Sequence, residues 1–291
     1  MRHIFLLFLT FSHVTWASTE LIAPGKVSTN FGEHSPTFDV HSNELIFMRR
    51  TPGQFDYTLY SSTLSNKGWS EPTILEFSGK FRDAAPYFSP NGQNLVFDSK
   101  RPAIEFTKDS INIWQVTRRA SGGWSEPFTL ANASSNGKDE TKAGRDEFGP
   151  LLTDDDKLLF YSFRQPMRGG AYYQADTSSA PKIQNEIPDP SARTFIAYLT
   201  LSKDGNTAVM EGRGQGSSAT DLYYACKSEG KWSKATPLTA VNTEFGEGTP
   251  FITADSRWLW FASSKPTSAD NTNGPNIYRI STAKLPIPCD Y

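Results

Sequence analysis

The chain is short of the residues on which most catalytic and metal-binding motifs are built. It has 291 residues, of which 2 are cysteine, 4 histidine and 4 methionine. Only His34 and His41 follow the first seventeen residues. There is no His-Glu-x-x-His, no Gly-x-Ser-x-Gly and no Cys-His arrangement, so the usual zinc-hydrolase and serine- or cysteine-nucleophile signatures are excluded. The net charge of −2 leaves no basic stripe of the kind that binds nucleic acid. The apolar run Ile4–Phe11 is far shorter than the roughly 20 residues that span a bilayer. Preceded by Arg2 and His3 and followed by Thr15-Trp16-Ala17, it reads as a secretory signal covering residues 1–17. The expected location is the periplasm or the outside of the cell, with residues 18–291 as one domain. Cys226 and Cys289 are the only two thiols. In an exported chain they are expected to pair, the alternative being two buried free thiols.

What the chain has in abundance is repetition. Five copies of one phrase recur: PTFDVHSNELIF (36–47), PYFSPNGQNLVF (86–97), PLLTDDDKLLF (150–160), AYLTLSKDGNTAVM (197–210) and PFITADSRWLWF (250–261). Their last residues, Phe47, Phe97, Phe160, Met210 and Phe261, are separated by 50, 63, 50 and 51 residues. Each phrase is an apolar strand, a turn rich in Asn, Asp and Gly, and a second strand rich in aromatics. A third strand follows as TLYSSTL, INIWQVT, AYYQAD, DLYYACK and NIYRIST. In three copies a turn containing Trp69, Trp124 or Trp232 comes next, and these indoles are expected to pack between blades. A strand-patterned period of this size is the mark of a β-propeller. The fold expected is all-β: five blades of four antiparallel strands.

The ends of the chain complete one another. NFGEHSP (30–36) repeats EFGEGTP (244–250), yet no three strands precede it. The last copy runs out of chain after its third strand. Residues 20–29 are therefore expected to supply the fourth strand of blade five and so remove the exposed edges. The polar insertion 132–145 reads as a loop and not as a sixth blade.

The phrase PYFSPNGQNLVF, followed by DSKRP, INIWQV and WSEP, resembles the TolB-like, WD-like propeller repeat of bacterial envelope proteins. The resemblance covers about residues 30–282 and is weakest in the third copy. It implies protein interaction or ligand binding more often than catalysis; the partner expected is a protein, a peptide or a small polar molecule, and no cofactor is expected.

Two sets of polar residues are expected on the face where innermost strands begin. Glu33, Asp83, Glu147 and Glu247 precede those strands, with His34 beside Glu33. Arg49, Arg101, Arg164 and Arg213 follow the second strands. Such a ring either ties blades together or grips a polar ligand, and Arg suits a carboxylate or phosphate. The expectation adopted is ligand binding by a non-enzymatic module, with no catalytic and no metal-ligating residue. The alternative is a carbohydrate-active hydrolase or lyase that uses two of the acids.

Overall fold

The computed structural model describes residues 19–50, 56–102, 110–130, 146–155, 157–162, 171–175, 182–183, 198–214, 218–267 and 274–289. The expected leader (1–17), the loop 132–145 and Arg164 lie outside them. Five antiparallel sheets follow one another along the chain, four with their strands in sequence order from the inside outward and the fifth completed on its outside by the first strand of the chain. The innermost strands are Glu33–Asp39, Asp83–Phe88, Glu147–Leu152, Leu199–Leu201 and Glu247–Ile252. The second strands are Glu44–Arg50, Asn94–Ser99, Leu158–Ser162, Thr207–Gly212 and Trp258–Ser263. The third strands are Tyr57–Ser65, Asn112–Thr117, Ala171–Ala175, Asp221–Ser228 and Asn276–Ser281. This is a five-bladed β-propeller.

Closure is as expected, but with a shorter strand. Only Glu20–Leu21 pairs with the third strand of blade five, Glu20 opposite Arg279 and Leu21 opposite Tyr278. The Arg279 guanidinium grips the Glu20 carboxylate through two nitrogens. Residues 23–28 then turn back on themselves, through hydrogen bonds from Lys26 and Val27 N–H to the Ala23 carbonyl. Cys226 and Cys289 form a disulfide, with Cα atoms 5.4 Å apart. It ties the tail of blade five to the third strand of blade four.

Strand alternation decides which side of each sheet a residue serves. Leu45 and Phe47 face back into a core shared with Phe251, Trp260 and Ile277 of blade five. Ile46 and Met48 face forward into a core with Phe88, Phe97 and Trp124 of blade two. Each of the other three interfaces has its own cluster. The phrase-ending Phe47, Phe97, Phe160, Met210 and Phe261 are at most 1% exposed. Trp124 is buried in one inter-blade core, and Trp69 and Trp232 pack against two others.

Four innermost strands share a bulge where the register slips, between His34 and Thr37, Ala84 and Tyr87, Phe148 and Leu151, and Gly248 and Phe251. The residues before the repeated prolines carry positive φ: Ser35 at 46°, Ala85 at 48°, Gly149 at 53° and Thr249 at 49°. Bulges of this kind bend the strand and re-aim its side chains. Here they turn the strand starts outward around a narrow waist. Pro36, Pro86, Pro150 and Pro250 line that waist with Tyr87, Leu199 and Phe251. Tyr87 crosses it, edge-on to Phe251 at 5.0 Å and hydrogen-bonded to Thr200 at 3.0 Å. The waist separates a mouth, where innermost strands begin, from a cavity of about 380 Å³ among the hairpins at the other end.

Candidate functional site

The four repeated acids are buried, and their visible partners hold the fold together. Glu33 is wholly buried and 2.9 Å from Arg49. It also accepts from the N–H and the hydroxyl of Thr29. Arg49 donates onward to the carbonyls of Lys26 and Val27 and lies over the Tyr60 ring at 4.9 Å. Asp83 accepts from Ser78, Ser99 and Arg101, and Arg101 lies 4.9 Å over Phe97. Glu247 accepts from the N–H and hydroxyl of Thr243 and from Ser263. Glu147 is likewise fully buried, with Ser162 donating to it at 3.4 Å. In blades one, two and five the acid thus clamps the linker that leads into its own innermost strand. Burial, the largest effect, raises the pKa of Glu33 despite the opposing hydrogen bonds and the Arg49 charge.

The register shows why Arg213 behaves differently from Arg49. Glu33 lies opposite Arg49, Asp83 opposite Ser99 and Glu247 opposite Ser263. Gly212 ends the second strand of blade four, opposite Asp221, so Arg213 matches Arg50, not Arg49. One residue of offset exchanges the two sides of a sheet. Arg213 therefore lies on the forward side, with Glu211.

That forward side carries a second set of polar groups, which the repeat does not announce. The residue after each phrase-ending side chain is Met48, Asp98, Tyr161, Glu211 or Ala262. Two of the five are acids. Asp98 is fully buried, 2.6 Å from Arg82, and accepts from the Gly149 N–H of blade three at 3.3 Å. Glu211 is partly exposed and accepts from the Thr249 N–H of blade five at 2.9 Å. It rests directly on Gly248, where an added Cβ would stand 2.5 Å from Oε2. Only glycine leaves that space.

The charges of Asp98, Glu211 and Arg82 all act on the hydroxyl of Tyr198, at the entry to the innermost strand of blade four. Burial, reinforced by both acids, pushes that phenol well above its usual range. His34 and Tyr57 of blade one meet edge to face at 5.9 Å, and Tyr57 too acts on Arg82 and Tyr198. Tyr172 of blade three, close enough to feel Glu211 and Tyr198, has a buried hydroxyl with no hydrogen-bond partner among the described residues. The mouth therefore gathers His34, Tyr57, Arg82, Asp98, Tyr172, Tyr198 and Glu211 from four blades. His34, Tyr57, Arg82, Tyr198 and Glu211 are all partly exposed, so the group is open to a ligand.

Two proton affinities here depart far from the ordinary. Burial, then the charge of Arg50, lowers His34 to about 4, so the imidazole is neutral near pH 7. Burial raises Glu211 to about 7, against the Thr249 hydrogen bond and the charge of Arg213. Burial also opposes the charge on Arg82, but the Asp98 carboxylate outweighs it and holds the guanidinium above its usual value. No group of His, Cys, Asp and Glu among the described residues has the shape of a metal site.

Comparison with known proteins bears on the fold. No family model matches the chain, and no curated protein matches it in sequence. Solved structures do match over nearly the whole ring. The catalytic domain of a GH62 α-L-arabinofuranosidase from Coprinopsis cinerea superposes with a TM-score of 0.56 at 13% identity, over 94% of this chain and 98% of that one. A glycoside hydrolase gives 0.60 at 10% identity, over 92% and 91%. A GH43_1 enzyme from Xanthomonas citri complexed with xylose gives 0.54 at 13%, over 91% and 90%. These identities establish the shared ring and leave activity to the site itself.

The expectation of a non-enzymatic binding module is corrected on this ground. The three solved structures named above, at 10–13% identity, are glycoside hydrolases. The acid–arginine ring that was to do the binding is, in blades one and two, closed on itself. Of the nine residues expected to bind ligand, His34 lies in the mouth group and Arg213 beside it. Glu33, Arg49, Asp83, Arg101, Glu147 and Glu247 are buried in the blades, and Arg164 is outside the described residues. Sequence reasoning missed Arg82, Asp98, Tyr198 and Glu211. The signal was available as two acids at a position that is apolar or aromatic in the other three blades.

Proposed function

We propose that the chain is a carbohydrate-active hydrolase that cleaves a glycosidic bond at the mouth of the ring, with Glu211 as general acid. One observation carries this reading. Glu211 is a partly exposed carboxyl in the mouth whose pKa stands at about 7, so it holds a transferable proton near neutral pH. Glycoside hydrolysis needs such a carboxylic acid to protonate the leaving oxygen, together with a second, ionised carboxylate. As the bond between the anomeric carbon and that oxygen breaks, the Glu211 proton passes to the oxygen. Water then adds to the anomeric carbon and gives its proton to the Glu211 carboxylate, which restores the acid. Among the described residues, Asp98 is the one other carboxylate that acts on Tyr198. Sealed behind Arg82, it does not touch the sugar. It holds Arg82 toward the opening, where the guanidinium donates hydrogen bonds to sugar oxygens. Gly248 and the Thr249 N–H fix the Glu211 carboxyl, and Tyr198 and neutral His34 offer hydrogen bonds to sugar hydroxyls. An exported enzyme, periplasmic or secreted, fits the leader-like sequence and the disulfide.

The test is hydrolysis of a panel of glycans and aryl glycosides by the full chain and by Glu211→Gln. The variant should lose about 10²- to 10⁴-fold in kcat with its melting temperature no lower than the parent's. Nitrophenyl glycosides, whose leaving group needs no proton, should suffer least. Undiminished turnover by Glu211→Gln on all substrates would end this assignment.

A further inference from the structure

The mouth is rimmed by cations for which the described residues supply no ion-pair partner. Arg50, Lys100 and Arg213 occupy one repeat position, directly after the second strand of blades one, two and four. The backbone identifies the position: Arg50 N–H donates to the Gly32 carbonyl, Lys100 N–H to that of Arg82, and Ser264 N–H of blade five to that of Gly246. All three cations are exposed. Their neighbours in sequence, Arg49 and Arg101, are consumed in buried ion pairs. Among the described residues no ion pair engages Arg50, Lys100 or Arg213. Alternation sets Arg50 above Met48, Lys100 above Asp98 and Arg213 above Glu211, on the side that faces the mouth group. Arg50 acts electrostatically on His34, and Arg213 on Glu211, so both reach the reacting region. Apart from Glu211 in the mouth group, and Asp146, which precedes the innermost strand of blade three and accepts from the Ile111 N–H, the exposed or half-exposed carboxylates on this face are more peripheral. Asp56 and Asp221 stand at the start of third strands, one strand farther from the axis, and Glu244 is on a linker.

We infer that the glycan taken at this mouth is acidic, its sugars bearing uronate carboxylates that Arg50, Lys100 and Arg213 grip. The inference rests on the hydrolase reading and narrows its substrate class. A guanidinium fork matches a planar carboxylate with two parallel hydrogen bonds. A neutral pentose or hexose polymer would leave three exposed cations around the site with nothing to meet. Uronates set along a chain would instead meet cations from three blades around one opening.

The test measures reducing-end release by the full chain on polygalacturonate and glucuronoxylan, on neutral arabinan and unsubstituted xylan, and on a sulfated glycan free of uronate. It compares the parent with Arg50→Gln/Arg213→Gln and Arg50→Lys/Arg213→Lys. The expected result is a preference for uronate glycans of about tenfold or more in kcat/KM. The ratio of acidic to neutral kcat/KM should fall by about the same factor in the glutamine double variant, mainly through KM. The lysine double variant should keep most of it. In the parent, added salt should narrow the preference, since exposed charges are screened. Preference for neutral or sulfated glycans, or a ratio indifferent to both variants and salt, overturns the inference and leaves the hydrolase standing. Hydrolysis of no glycan at all overturns both.

Discussion

Two arginine–carboxylate pairs of similar length sit one side of a sheet apart and do different work. Arg101 and Asp83 lie within blade two at 2.7 Å, both largely buried and bonded further to Ser78, Ser99 and the Phe77 carbonyl. Arg82 and Asp98 lie on the forward side of the same blade at 2.6 Å, with the guanidinium at the mouth. The first pair has a counterpart in Glu33 and Arg49, whereas blade one places His34 and Met48 where blade two places Ala84 and Asp98. A feature that a repeat copies from blade to blade solves a problem every blade has, which is packing and linker closure. A feature that breaks the repeat solves a problem the molecule has once. The mouth group is made of such breaks.

The largest effect that would separate the two pairs is on stability. Arg101→Ala leaves a buried carboxylate unpaired and should cost about 3–5 kcal/mol, read by denaturant unfolding. The activity of the remaining folded protein should match the parent's. A loss of turnover without a loss of stability would make the two pairs equivalent and erase the distinction. Arg82→Gln should cost less, roughly 1–3 kcal/mol, because the guanidinium is part-exposed and Asp98 keeps the Gly149 N–H. Its turnover should fall at least about tenfold, since the charge at the mouth is lost. Equal stability losses for both variants, with no change in turnover for either, would assign Arg82 to packing as well.

The smallest effect is a slope. The folded-state pKa of Glu211, about 7, lies above its ordinary 4.5, so the folded chain binds this proton more tightly than the unfolded one. Stability from this group is greatest below pH 4.5 and declines as pH rises toward 7. Glu211→Gln should flatten that decline in a series of melts from pH 4 to 8, and activity should fall along an alkaline limb with its midpoint near 7. An unchanged stability slope in the variant would mean that the carboxyl is not held in the environment described. His34 has the opposite sense. Its lowered pKa lets it stay neutral until about pH 4, so acid below its ordinary value of 6.5 charges the unfolded chain first and lowers stability.

The ring itself was legible without coordinates. Five phrase-ending side chains predicted five buried inter-blade cores, and all five are buried. The unmatched start and the truncated end predicted closure, and Glu20–Leu21 performs it. The two cysteines predicted a bond between blades four and five, which forms. The candidate site was legible only in part. His34 was singled out, but Glu33, Asp83, Glu147 and Glu247 drew attention because they recur, and recurrence marked them as structure. Arg213 was grouped with Arg49 because sequence spacing cannot resolve a slip of one residue at the end of a strand.

Sequence by itself determined the number of blades, their order and how the circle closes, because strand period, turn chemistry and burial are local and repeat every fifty or so residues. Tertiary structure alone decided which charges meet. Arg82, Asp98, Tyr198 and Glu211 span more than a hundred residues of chain and share no motif. They converge because bulged strands from separate blades open around one axis, and because an offset of a single residue sends one arginine into a blade and the next to the mouth.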